Sequence, residues 1–131
     1  MPPRSASASA SPLPRLRKLC LALPDVVEEI SHGAPTFWAG SSKSARTFAI
    51  FADNHHGSGR VTAWVKSTLD EQQAMVEAAP KTFFVPPYVG PSGWVGVYLD
   101  GAAPGWDELP DLLQEGWKAA APKTLLRQHF S

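Results

Sequence analysis

The stretch TFAIFAD, residues 47–53, most restricts what this chain can become. In extended backbone, side chains alternate between two faces. Phe48, Ile50 and Ala52 then share one face, and Ala49 and Phe51 share the other. A strand apolar on both faces belongs in the middle of a sheet. A second stretch follows, RVTAWVK, residues 60–66. It alternates cleanly: Val61, Ala63 and Val65 point one way, and Arg60, Thr62, Trp64 and Lys66 the other.

The flanking segments fill in an order. Residues 1–12 alternate Ser and Ala between prolines and predict a disordered tail. From residue 13, Leu13, Leu16, Cys20 and Leu23 fall at helical spacing, and Pro24 stops the helix. Residues 27–30 and 36–39 predict two short strands, with His-Gly-Ala-Pro as the break between them. GSSKSAR predicts a turn before the central strand. Thr68-Leu-Asp-Glu71 is a capping box that opens a helix with Leu69, Met75, Val76 and Ala79 inward. FFVPPYV predicts an edge strand, because its two prolines cannot donate to a ladder. Gly90-Pro91-Ser92-Gly93 predicts a hairpin turn, and GWVGVYL the last strand. Asp107 then caps a closing helix carrying Trp106, Leu109, Leu112, Leu113 and Trp117, which Pro122 ends. The expectation is one α+β domain over residues 13–131, an antiparallel sheet packed by N- and C-terminal helices.

Composition narrows the function classes. With 131 residues the chain has room for one real core. Lys+Arg and Asp+Glu each number 12, so the net charge gives no general attraction to nucleic acid. One cysteine and no secretory signal predict a cytoplasmic protein without disulfides. No apolar run is long enough for a membrane span. The chain is expected to be a monomer.

No motif assigns catalysis. Asp53, His55 or His56 and His32 are conceivable zinc ligands, but DNHHGSGR reads first as an exposed hairpin loop. No metal and no cofactor are therefore expected. Asn54, His55 and Asp100 resemble a formyl-transfer set, yet such enzymes need a doubly wound sheet, and no βαβ pattern occurs. Cys20 lies on the apolar stripe of its helix, where a structural thiol is expected. Glu28 and Glu29 are adjacent and point to opposite faces of a strand.

Charge is nevertheless segregated. Residues 43–66 hold Lys43, Arg46, Arg60 and Lys66 against one acid, Asp53, whereas residues 100–115 hold five acids and no base. In the last strand Trp94, Gly96 and Tyr98 share a side. If Val61, Ala63 and Val65 face the helices, the other side of the sheet carries bases beside Trp64, Trp94 and Tyr98. Such a face suits phosphates and stacked bases. The competing expectation is that Trp64 and Trp94 are simply covered. Gly96, between Trp94 and Tyr98, leaves a notch that either a ring or a ligand fills.

At SHGAPTF, ADNHHGSGRV, FFVPPYVGPSGWVGV and APKTL, over about residues 13–125, the chain resembles the MmcQ/YjbR-like family of small bacterial proteins. Among the matching positions are His32, Gly33, Pro35, Asn54, His55, Arg60, Pro86, Pro87, Gly90, Gly93, Trp94, Gly96 and Lys123. The resemblance implies a fold similar to CyaY, described as a double-wing DNA-binding motif. It supplies no catalytic residues. Arg15, Arg17 and Lys18 on the first helix argue against the iron binding of frataxin-like proteins.

Two functional expectations follow. The first is a non-catalytic, weak and sequence-nonspecific DNA-binding protein using Lys43, Arg46, Arg60, Lys66, Trp64, Trp94 and Tyr98. The second is a small-ligand or protein-partner module with a groove formed by His32, Pro35, Asn54, His55, Trp94 and Gly96.

Overall fold

A computed structural model describes residues 12–53, 57 and 59–130. The anticipated tail, residues 1–11 in the main, lies outside the described residues, as do Asn54, His55 and His56.

The chain opens with helix α1 (Pro12–Leu21), which buries Leu16 and Cys20. Strands β1 (Val26–Ser31) and β2 (Ala34–Ala39) follow. They pair from Val26↔Ala39 to Ser31↔Ala34, so the predicted four-residue break shrinks to His32-Gly33. Both residues are left-handed, with φ of 52° and 80°. That is the backbone a two-residue hairpin loop needs if its twist is to match the strands.

Strands β3 (Thr47–Asp53) and β4 (Val61–Val65) come next, then helix α2 (Leu69–Ala78). Strand β5 (Phe83–Phe84), a single 3₁₀ turn (Gly90–Ser92) and strand β6 (Val95–Tyr98) lead to helices α3 (Leu109–Ala120) and α4 (Lys123–Phe130). The six strands form one sheet in the order β1-β2-β3-β4-β6-β5. Every neighbouring pair is antiparallel. The predicted α+β architecture is the observed one: β3 is internal, and β5 is an edge strand ending just before its prolines.

One face of the sheet carries the main core. Ala49 sits across from Val65, Phe51 from Ala63, and Ala63 from Val97. With Phe37, Leu16, Leu109, Leu113 and Trp117 they form one continuous buried cluster. Trp117 is wholly buried, and its indole Nε1 donates to the Pro24 carbonyl at 2.8 Å. Gly116 lets α3 lie directly on the sheet, since a Cβ there would stand 3.0 Å from the Lys66 carbonyl oxygen.

Three local expectations are corrected. The capping position of α3 is Glu108 rather than Asp107. Pro122 ends α3 but also begins α4, whose Leu126 amide donates to the Pro122 carbonyl. On α2, Leu69 stays half-exposed and the one buried side chain is Gln72. Apolar spacing misses this because the inward-facing position does polar work.

Candidate functional site

Gln72 governs the second face of the sheet. Its Nε2 donates to the carbonyls of Gly90, at 2.8 Å, and Trp94, at 2.6 Å. One buried amide thus ties both ends of the Gly90–Trp94 turn to α2. Gly93 completes the seat: its φ is 96°, and a Cβ would stand 2.8 Å from the backbone nitrogen of Leu69. GPSG is therefore a 3₁₀ turn closed by a left-handed glycine, in place of the predicted four-residue hairpin turn.

This seat folds residues 85–94 back over the sheet. Trp64 and Trp94, at 6% and 5% exposure, are buried in a second cluster with Ala52, and Ile50, Phe84 and Val89 pack against it. Of the two expectations for these indole rings, coverage is the observed one, and they are not open stacking surfaces. Gly96 pairs with Phe84 across β5 and β6, and the Phe84 ring occupies the space a Cβ would need. The notch at Gly96 is filled from within the chain.

The basic residues do not line up across this face. The Arg60 guanidinium carbon lies 3.9 Å from the centroid of the Tyr98 ring. Its Nε donates to the Asp100 carboxylate at 2.8 Å, and its Nη2 to the Asp100 carbonyl at 3.0 Å. The same carboxylate accepts the Val61 amide at 3.0 Å. Asp100 thus locks β4 to the end of β6. Tyr98 is held between Arg60 and the Phe84 ring, whose centroid is 4.7 Å away. Arg46 leans toward α3, with Nη2 at 3.4 Å from the Ala119 carbonyl. Lys43 is exposed beside a shallow depression that includes Glu29 and Trp38. Lys66 is half-buried at the end of β4.

What remains of the second face is an open cleft of about 990 Å³ over β2, β3 and β4. Thr36, Ile50 and Trp64 lie side by side along it, in register across the three strands. His32 and Pro35 of the first hairpin line it, Asp53 lines it at the end of β3, and Tyr88 and Val89 come from the opposing loop. The groove expected from sequence is thus partly assembled. His32 and Pro35 belong to it, whereas Trp94 and Gly96 do not; Asn54 and His55 lie outside the described residues. Tyr88 was missed entirely.

Tyr88 has the least ordinary backbone at the site. Its φ is 65°, and the Val89 amide donates to the Pro87 carbonyl at 2.6 Å, closing a three-residue turn around it. Left-handed backbone is costly for a bulky residue. The ring so placed is 70% exposed. Strain of this kind persists only where surrounding structure imposes it, here through buried Pro86 and the Gln72 seat. Among the described residues, three non-glycine residues have positive φ, and two of them, His32 and Tyr88, line this cleft.

Among the described residues no group of three or more His, Cys, Asp or Glu side chains is placed to hold a metal. Cys20 is buried beneath α1, and burial pushes its thiol pKa far up. Among the described residues, no helix is long and apolar enough to cross a membrane.

A small α+β domain of this strand order, with a covered core on one face and a cleft on the other, has relatives. The YjbR family model matches residues 21–119, and the chain belongs to that family. Its fold is similar to the crystal structure of Deinococcus radiodurans protein DR2400, family-model domain DUF419. The TM-score is 0.71 over 88% of this chain and 86% of that one, at 20% identity. No curated protein matches the sequence.

Proposed function

We propose that this YjbR-family chain is a non-catalytic binding module whose ligand seats in the cleft between the first hairpin and the Tyr88 loop. The observation that carries this reading is Tyr88, an exposed ring held by left-handed backbone at the lip of a cleft of about 990 Å³. A volume near that size, apolar floor and few polar groups are the usual properties of a ligand site. The floor is Ile50, Ala52 and Trp64, and the polar groups include Ser31, His32, Thr36, Thr47 and Asp53. The Thr36 hydroxyl donates to the Ala34 carbonyl at 3.0 Å, which leaves its oxygen able to accept.

A fragment screen by amide chemical shifts tests this. Small aromatic fragments are expected to shift the amides of Thr36, Ile50 and Val89 saturably, and Tyr88→Ala to weaken them at least tenfold. Shifts clustered elsewhere, or indifferent to Tyr88→Ala, would sink the reading.

Nucleic-acid binding is the second reading, supported by the run of bases at residues 43–66. Against it stand the packed indoles and the commitment of Arg60 to Asp100 and Tyr98. A mobility shift with duplex DNA at low salt decides it. A salt-dependent shift lost in the Arg60→Ala/Lys66→Ala double variant would establish that reading in place of the first.

A further inference from the structure

Beyond the cleft, the Tyr88 loop and the α2 end that seats it carry exposed apolar side chains. Among the described residues five large hydrophobic side chains are exposed: Leu21, Ile30, Leu69, Val85 and Tyr88. Three of the five gather at one place. Val85 and Leu69 flank the Gly90–Gly93 turn: a Cβ at Gly90 would stand 2.7 Å from Val85 Cγ1, and one at Gly93 would meet the Leu69 backbone. Tyr88 rises from the same loop and also lines the cleft. A ligand confined to the cleft would leave Leu69 and Val85 in water. A polypeptide that runs through the cleft and over the lip would cover all three.

Charge selects the kind of polypeptide. Asp70 and Glu71 follow Leu69 directly and are exposed. At the cleft, Asp53 is exposed as well, and among the described lining residues there is no Lys or Arg. Residues 67–99 contain three acids, Asp70, Glu71 and Glu77, and one base, Lys81, which lies past the far end of α2 from Leu69. Asp53 thus stands at the cleft, and Asp70 and Glu71 stand beside Leu69. Apolar surface supplies affinity, and complementary charge at the rim sets orientation and on-rate.

Resting on the cleft reading above, we infer that the ligand is an extended segment of a partner protein, apolar in its middle and carrying Lys or Arg toward its ends. Its middle packs on Trp64 and Tyr88, and its bases face Asp53 on one side and Asp70 and Glu71 on the other. A phosphate backbone meets the wrong sign of charge along this track, and a small neutral molecule leaves the lip unused.

The test is selection of a random dodecapeptide phage library on the full chain, with counter-selection on the Tyr88→Ala variant. Enrichment of apolar sequences bearing Lys or Arg is expected. Selected peptides, measured by fluorescence anisotropy, should bind Tyr88→Ala at least tenfold more weakly. They should bind the Asp70→Asn/Glu71→Gln variant about threefold more weakly, with that difference shrinking at high salt. A pool without enrichment, a pool rich in Asp and Glu, or peptides indifferent to both variants would overturn the inference. If fragments still map to the cleft in any of those cases, only the peptide assignment fails. If fragments fail too, the cleft reading fails with it.

Discussion

The two faces of this sheet are covered in different ways. On one, α1, α3 and α4 bury Trp117, Phe37 and Leu113 in a continuous core. On the other, a loop seated by one glutamine covers Trp64 and Trp94 and leaves a strip of sheet open. A helix covers a sheet with many interchangeable apolar contacts. A loop depends on a few particular ones, and where those run out it leaves a concave space. The first face gives stability, and the second leaves the concave space proposed above as the binding site.

Substitutions should separate the two faces, the largest effect first. Trp117→Ala empties a wholly buried site and strands the Pro24 carbonyl; it should cost about 3–5 kcal/mol in urea unfolding. Cleft binding by the folded fraction should be unchanged. Gln72→Leu removes the amide donor shared by the Gly90 and Trp94 carbonyls, of which Gly90 keeps the Gly93 amide, and should cost about 1–3 kcal/mol. Unlike Trp117→Ala, it should also free the Tyr88 loop, seen as lost fragment shifts at Val89. Equal loss of binding per folded molecule in both variants would erase the contrast.

Cys20 offers a readout of the helix-covered face alone. Its thiol pKa is raised in the folded chain, first by desolvation and then by the charge of Glu28. The folded state therefore favours the neutral thiol. That contribution is fully present below the ordinary thiol pKa, about 8.5, and is lost as pH rises beyond it, by about 1.4 kcal/mol per pH unit. Cys20→Ala should flatten this alkaline slope in urea titrations, and native protein should resist thiol reagents. A slope unchanged in Cys20→Ala would place its origin elsewhere. The smallest expected effect has the opposite sign. Tyr88→Gly removes left-handed strain and should stabilise the chain by about 0.5–1 kcal/mol while abolishing cleft binding. A Tyr88→Gly variant that is less stable would show that the ring serves packing.

How far the sequence carried differed between the faces for the same reason. TFAIFAD announced a central strand, and RVTAWVK divided its neighbour into two sides, because strands keep a period of two. Phe48, expected beside Ile50 and Ala52, lies in the main core with Ala49, next to the irregularity between Phe37 and Trp38. A loop folding back on a sheet has no period. Nothing in VPPYV set Tyr88 apart from its neighbours, although a bulky residue between prolines and a GPSG turn was a usable hint. Gln72 was invisible to apolar spacing. The short α4 was hidden by Pro122, read as a stop when the residue also suits a helix start. The Trp64–Gly96–Phe84 row could have been inferred only with the strand order in hand.

The cleft's walls come from residues 31–36 and residues 88–89, which are far apart in sequence and meet only across β2, β3 and β4. Each wall is local to its own segment, but the cleft exists only where the two meet. Closing the chain between them carries an entropic cost that is recovered only once the intervening strands have paired. The α2–loop unit around Gln72 is local by comparison and has the shorter search. The cleft therefore requires the hairpin and the loop to be docked on one sheet together, and its presence reports on both.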